Sequence, residues 1–320
     1  MTDCPQTLMA AVRYFADLDR CEAYMAEIRW ADGKPRCPAC ESERVGTIAT
    51  RRLLRCKDCR RQFSHKLGTI FEDSPLGLDK WFVAVWAIAN CKNGISSHEL
   101  ARTLGVTQKT AWFMLHRIRK AMETNDFTKF DGPAEADTTY IGGRAENMHK
   151  ARRERIIKGR GAVGKTGVHG LLQRTTEAQP SQVRAVVLHN PEPNAEVGQI
   201  HGNVQRGAAV YTDSASIYGP LGTAFAHAAV DHTREYVRGT VHTNGIENFW
   251  TLFKRTLHGT YTHVAPFHLF RYTSEQVFRF NARKGTDASR FKAALAGVFG
   301  RRLTYRLLAG IDGAGFMTIQ

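Results

Sequence analysis

Long apolar runs are missing from this chain. Its most apolar stretch, Trp81 to Ala89, falls far short of the roughly 20 residues a membrane-spanning helix needs. Residues 1–18 mix acids and polar side chains with apolar ones, so no secretion signal is read there and a cytoplasmic location is expected. Cysteine is scarce, seven in 320 residues, and four of the seven sit in two CxxC pairs while Cys4, Cys21 and Cys91 are scattered. That usage excludes a disulfide framework and points to a reduced compartment with a metal site. Acid is in short supply as well: 30 Asp and Glu face 45 Lys and Arg, a net charge of +15. Such a surface attracts polyanions through phosphate contacts that release counterions, and it favours a nucleic-acid partner over a merely soluble basic protein. What is present is ordinary for a globular protein, 42% hydrophobic and 23% charged, in a chain long enough for two or more domains.

The chain begins with a helical lead-in, 1–35, whose apolar positions Tyr14, Phe15, Leu18, Tyr24, Met25 and Ile28 recur at helical spacing until Gly33 and Pro35 break the pattern. Next come Cys37-Pro-Ala-Cys40 and Cys56-Lys-Asp-Cys59, separated by a short segment of β character. One CxxC turn aims two thiolates at one ion, and two such turns complete a tetrahedral sulfur site for one structural Zn²⁺. This spacing predicts a zinc ribbon over 36–66, with no open position left for water. Arg36, Arg44, Arg51, Arg52, Arg55, Lys57, Arg60 and Arg61 crowd around it and suggest phosphate contact. Residues 74–124 read as helices. Ser96 or Ser97 starts a short one, Gly105 allows a turn, and Thr107 caps a second one running to Met122. This is a helix-turn-helix pattern, and Gln108, Lys109 and Thr110 occupy the place from which a recognition helix touches base edges. An αα-hairpin without a ligand is the plainer alternative.

GTIFEDSPLGLDKWF and GISSHELARTLGVTQKTAWFMLHRIRKAM, placed behind the CxxC pairs, resemble the N-terminal half of a bacterial insertion-sequence transposase. The branch is the one with a zinc ribbon, a helix-turn-helix and a catalytic domain of the DDE class. EADTTYIGG at 135–143, VYTDSASIY at 210–218, HTNGIENFWTLFKR at 242–255 and LFRYTSEQVFRFNAR at 269–283 continue the resemblance in order. It implies a multidomain protein with an α/β ribonuclease H-like domain over 130–284.

Phosphodiester chemistry asks for carboxylates that converge from different elements, because hard Mg²⁺ ions prefer oxygen ligands and two ions about 4 Å apart serve both sides of the reacting phosphorus. Asp137 lies on an expected strand, Ala134 to Ile141, that ends in a hairpin turn at Gly142-Gly143; Glu135 shares its face, and the resemblance favours Asp137. Asp213 closes an apolar strand from Ala208, where it either serves the site or caps the next segment. Glu247 lies on an expected helix whose apolar stripe is Ile246, Phe249, Phe253 and Leu257; it stands off that stripe and shares a face with Lys254. A solvated Glu–Lys surface is the plain reading of that pair. In some branches of the resembling family the third position is Asn, which leaves Asn244 as the alternative ligand. Glu247 is preferred because a carboxylate binds Mg²⁺, or Mn²⁺, better than an amide does. Thr138 departs from the family pattern, where Glu commonly follows the first Asp.

Lys254 and Arg255 are expected to meet DNA phosphate, as are Arg152, Arg153 and Arg155 within the basic run 144–165. His232 and His242 are read as structural or DNA-facing. Arg271, Arg279 and Arg283 on an expected C-terminal helix are further candidates for DNA, and 285–320 forms a helical tail with no assigned role. The implied activity is metal-dependent cleavage of insertion-sequence ends and strand transfer, by a homo-oligomer on double-stranded DNA with no membrane partner. A non-enzymatic DNA-binding regulator and a nuclease that cleaves without joining are the rival readings.

Overall fold

The structure is a computed structural model that describes residues 5–30, 32–124, 128–143, 145–157, 163–177, 179–188, 194–231 and 237–311. The chain divides into two compact units, one made of residues up to Glu123 together with those from Gly285, the other of Thr124–Lys284.

In the first unit, Thr7 and Asp17 accept backbone N–H groups to start α1 (Leu8–Phe15) and α2 (Leu18–Arg29). The ribbon comes next as three antiparallel strands in the order β1 (Val45–Ile48), β2 (Leu53–Cys56) and β3 (Gln62–Phe63). Its small core joins Cys37, Leu54, Cys56 and Phe63 to Ala26 and Trp30, so the end of α2 and the residue after it are packed against the ribbon. α3 (Leu78–Asn90) is apolar on nearly every side, and it is accordingly buried all round. α4 (Ser97–Leu104) begins with a full capping box, in which Ser96 and Glu99 satisfy each other's backbone N–H. Gly105 then takes the left-handed conformation at φ 62°, and Thr107 caps α5 (Gln108–Ala121). Leu104, Ala111, Leu115 and Ile118 are buried as their spacing predicts.

The second unit is built on a five-stranded sheet in the order β6-β5-β4-β7-β8, where β4 is Ala134–Ile141, β5 Thr166–Gln173, β6 Gln182–Leu188, β7 Ala209–Asp213 and β8 Ala226–Val230. β5 pairs antiparallel with both β4 and β6; β7 pairs parallel with β4, and β8 parallel with β7. Alternation along β4 sends Ala134 and Ala136 to one face, where they pack with Leu171, Val210 and the helix Ala195–Asn203. Glu135, Asp137 and Thr139 take the other face, beside Leu172 and Val168, which pack under the helices Asn244–Thr256 and Leu269–Asn281. β4 and β5 pair antiparallel, but the expected tight hairpin at Gly142-Gly143 is absent. Ile141 pairs with Thr166, so the whole segment 142–165 forms the connection, and within it the basic run folds as α6 (Lys150–Ile156). We label the remaining helices of this unit α7 (Ala195–Asn203), α8 (Asn244–Thr256) and α9 (Leu269–Asn281).

Beyond Lys284 the chain rejoins the first unit. α10 (Asp287–Ala296) places Phe291 in an aromatic cluster with Phe15, Tyr24, Phe82 and Trp86, at centroid distances of 5.1–6.1 Å. A short α11 (Tyr305–Leu308) closes the described chain. No helix among the described residues is long and apolar enough to cross a membrane.

Candidate functional site

The four ribbon cysteines converge. Their sulfur atoms lie within 4.8 Å of one another, with Cys37 Sγ 3.5 Å from Cys59 Sγ and Cys40 Sγ 3.6 Å from Cys56 Sγ. Backbone N–H groups of the second CxxC turn, first that of Cys59, pull the Cys56 thiol down to about 6. Cys40, despite a backbone N–H from Ser42, is pushed up to about 12 by the neighbouring thiols. Four thiols this close cannot all ionise without a cation between them, and with Zn–S near 2.3 Å the cluster suits one tetrahedral zinc. Of the surrounding cations, Arg36 pairs with Asp32 and Glu43, Arg44 with Asp58, and Arg52 with Asp19 and Glu22. Arg51, Arg55, Lys57, Arg60 and Arg61 are exposed.

On α5 only the first turn is open. Gln108 and Lys109 are exposed and Thr110 is half-buried, while Met114 to Arg119 are buried. Gln108 donates to Ser97 Oγ at 2.8 Å, and the Thr110 hydroxyl meets that of Thr107 at 2.8 Å.

In the second unit β4 and β7 are adjacent and parallel, with Ala134 opposite Val210 and Glu135 opposite Tyr211. The same offset of 76 places Asp213 beside Asp137, on one face of the sheet. Helix α8 crosses that face. Trp250 donates its indole Nε1–H to Asp137 Oδ2 at 2.9 Å, and Glu247, one turn earlier on α8, accepts from Thr243 Oγ1 at 2.9 Å. Burial, with the charges of Asp213 and Glu247, raises Asp137 from 3.8 to about 6. Asp213 Oδ1 also accepts the N–H of Ala215 at 3.2 Å, so it starts the next turn as well. Among the described residues the four thiols are the one group of three or more potential metal ligands gathered this closely, within 4.8 Å. Asn244 is exposed at the first position of α8.

Two features hold this arrangement, one of them a glycine that the sequence pattern did not single out and the other a carboxylate whose part in it the pattern did not reveal. Gly170 pairs with Asp137, and a Cβ there would lie 2.6 and 2.7 Å from two carbons of the Trp250 ring. Only glycine lets the indole lie flat enough on the sheet to reach Asp137. The other feature is Glu135, 1% exposed. Its carboxylate accepts Arg174 Nε at 2.8 Å and the Ile246 N–H at 2.9 Å, and so closes the N-terminus of α8. Arg174 in turn donates to the carbonyls of Thr240 and His242, each at 2.7 Å, and lies 4.3 Å over the Tyr211 ring. At the far end of α8, Tyr261 donates to the buried Glu275, which pairs with Arg279. A buried Trp needs a partner for its N–H, and that requirement was the available signal for Trp250.

Other expectations fare differently. Lys254, Arg255, Arg153 and Arg155 are exposed, the last two on α6. The Arg152 side chain and His232 lie outside the described residues. His242 packs against Arg174 and Glu135. Arg271 and Arg279 are buried on α9, where Arg279 pairs with Glu275, and half-buried Arg283 donates to Ser181 and the Phe280 carbonyl. Thr138 points to the opposite face from Asp137, where its hydroxyl meets His169 Nδ1 at 2.9 Å.

Comparison with known proteins agrees with this layout. Residues 129–281 match the model of the ISXO2-like transposase domain, and residues 17–62 match that of the transposase zinc-ribbon domain. The chain is 30% identical over 262 residues to an uncharacterized protein in transposable element ISH50 of Halobacterium salinarum, a span that covers 78% of this chain and 86% of the relative. No solved structure matches it. A four-thiol ribbon, and a mixed sheet carrying Asp137 and Asp213, thus sit within the stretches that match transposase domains, and the chain belongs to the insertion-sequence transposases.

Proposed function

We propose that this chain cleaves DNA at insertion-sequence ends and transfers the freed strand to target DNA, with Asp137, Asp213 and Glu247 as the catalytic carboxylates. The observation that carries the reading is the convergence of three carboxylates from β4, β7 and α8 on one face of the sheet, where Asp137, raised to about 6 chiefly by its burial, also feels the charges of Asp213 and Glu247. Repulsion of that kind is relieved by cations, and the donors are hard oxygens suited to Mg²⁺ or Mn²⁺. When bound, such ions activate the attacking oxygen and stabilise the leaving one. The protein holds the donors in place: Trp250 fixes the rotamer of Asp137, Thr243 orients Glu247, and Glu135 sets the entry of α8. Glu247, whose charge reaches Asp137, is the third ligand; Asn244 is not.

The sheet order, three antiparallel strands and then two parallel ones, supports reading the second unit as a ribonuclease H-like domain. The ribbon and the helix-turn-helix of α4 and α5 hold double-stranded DNA, the exposed arginines and Lys57 of the ribbon meeting phosphate. Lys254 and Arg255 on α8, and Arg153 and Arg155 on α6, bind strands near the carboxylates. Two ends must reach one target, so the working form is a homo-oligomer on DNA.

Incubating the protein with Mg²⁺, duplex carrying the ends of its own element, and a plasmid target tests the reading. Joined product is expected, and Asp213→Asn should remove all cleavage while DNA is still bound. Cleavage without joining would identify a nuclease, and binding without cleavage a regulator; either overturns the proposal.

A further inference from the structure

The last described stretch of the chain, 300–311, runs along α5. It carries three arginines and no acid before position 311. Arg301 Nη1 donates to the carbonyls of Lys120, Ala121 and Glu123 at 2.8, 3.2 and 2.6 Å, closing the carbonyl end of α5. Arg302 pairs with Asp73 and Glu72, Leu303 is buried, and Thr304 caps α11. These contacts deliver Tyr305 to the other end of α5. Its ring stands edge-on to Phe113 at 5.8 Å and 90°, and Lys109 Nζ lies 4.9 Å from its centroid. Tyr305 is still 39% exposed, and Arg306 is exposed beside it.

The geometry matters because so little of α5 is open. A helix buried from Met114 to Arg119 presents only its first turn, with Gln108 and Lys109 as its exposed side chains. Two side chains make a small footprint on a duplex, and a lysine on a four-carbon stem loses rotamer freedom when it is fixed on a partner. An aromatic ring under the ammonium restricts that freedom before DNA arrives. We propose that Tyr305 and Arg306 belong to the same double-stranded DNA-binding surface as Gln108 and Lys109. Tyr305 positions Lys109, and Arg306 supplies a phosphate contact that α5 lacks. This rests on reading α5 as the helix that meets DNA.

The full-length protein and its Lys109→Ala, Tyr305→Ala, Tyr305→Phe and Arg306→Ala variants would be titrated against one short duplex, selected from a randomised pool by the wild type, across a salt series. Lys109→Ala and Tyr305→Ala should each weaken binding by about fivefold, and Tyr305→Phe should recover most of that loss because it keeps the ring. Arg306→Ala should lower the slope of log affinity against log salt by about one. If Lys109→Ala weakens binding while Tyr305→Ala and Arg306→Ala leave affinity and slope unchanged, the C-terminal surface is refuted and the reading of α5 stands. If Lys109→Ala also has no effect, α5 is not the contact helix and both fall. Should Tyr305→Ala lose its cooperative melting transition, the exposed Arg306 decides alone: an unchanged slope refutes the proposal.

Discussion

The ribbon and the proposed carboxylate site both gather titratable oxygen or sulfur groups, yet they are assembled in opposite ways. The four thiols come from 23 consecutive residues, 37–59, and two tight turns bring them within 4.8 Å of one another. The three carboxylates are spread over 111 residues, 137–247, and stand on two strands and a helix. In the ribbon, local turns make the site and the ion completes the fold. In the second unit a finished fold makes the site, and its precision depends on buried pairs that contribute no ligand. Removing the cation should therefore unfold one region and leave the other intact.

That contrast gives the largest expected effect. Structural zinc sites of this kind are worth about 10 kcal/mol or more of apparent binding energy, all of it coupled to folding. Chelation should abolish the ribbon's amide protection in hydrogen exchange while β4, β5 and β6 keep theirs. If both regions lost protection together, the two sites would not be independent in the way described.

Next in size is the Glu135–Arg174 pair. Glu135→Gln leaves a guanidinium that is 19% exposed facing a neutral amide, and weakens the acceptor for the Ile246 N–H. Breaking one side of such a buried pair costs about 3 kcal/mol. Thermal unfolding should show that loss. Metal-dependent cleavage should also fall further than DNA binding, because the entry of α8 sets Glu247. Retained cleavage at full rate would show that α8 is located by its apolar stripe alone.

Gly170→Ala asks the same question from the sheet side. The new Cβ would meet the Trp250 ring at 2.6 Å, far inside contact distance, and the indole is too rigid to give way at its tip. Overpacking of this kind costs about 2–3 kcal/mol. The Asp137–Trp250 bond should break with it, which a change in the indole Nε1–H resonance would report. An unaltered resonance would mean that α8 shifts as a body, with the bond kept.

Legibility from sequence divides along the same line. The cysteines are legible because a CxxC turn is its own geometry, and the caps at Ser96 and Thr107 are legible for the same reason. The apolar stripe Ile246, Phe249, Phe253 and Leu257 is fully buried as its period indicates. Glu135 and Gly170 are different. Nothing local marks a glycine that must admit an indole from a helix 80 positions away, or a carboxylate that closes the end of that helix rather than binding metal. The arginines of α9 mislead for a related reason: charge on a helix reads as a solvated face unless its partner, here Glu275 four residues earlier, is recognised as buried with it. β8 escaped because a five-residue strand of Ala, His and Val carries no alternation to read.

The smallest effect concerns Asp137 without metal. Its folded-state value, about 6, lies above the ordinary 3.8, so the fold favours the protonated acid. The associated stability is fully present below about pH 4 and is lost as pH rises through 6, where the ionised group is buried and also faces Asp213 and Glu247. In divalent-free buffer the second unit should thus be less stable at pH 7.5 than at pH 5, by about 1.4 kcal/mol from this group. Asp137→Asn cannot ionise and should flatten that dependence, leaving the variant more stable than the wild type at pH 7.5. Mg²⁺ should then stabilise the wild type at high pH and do little for Asp137→Asn, since a ligand stabilises only the state that binds it. A wild type whose stability did not fall between pH 5 and 7.5 would show that Asp137 is neither buried away from water nor crowded by charge as described. The ribbon offers the control: its thiolates need the metal across this whole range, so its protection should track zinc at either pH.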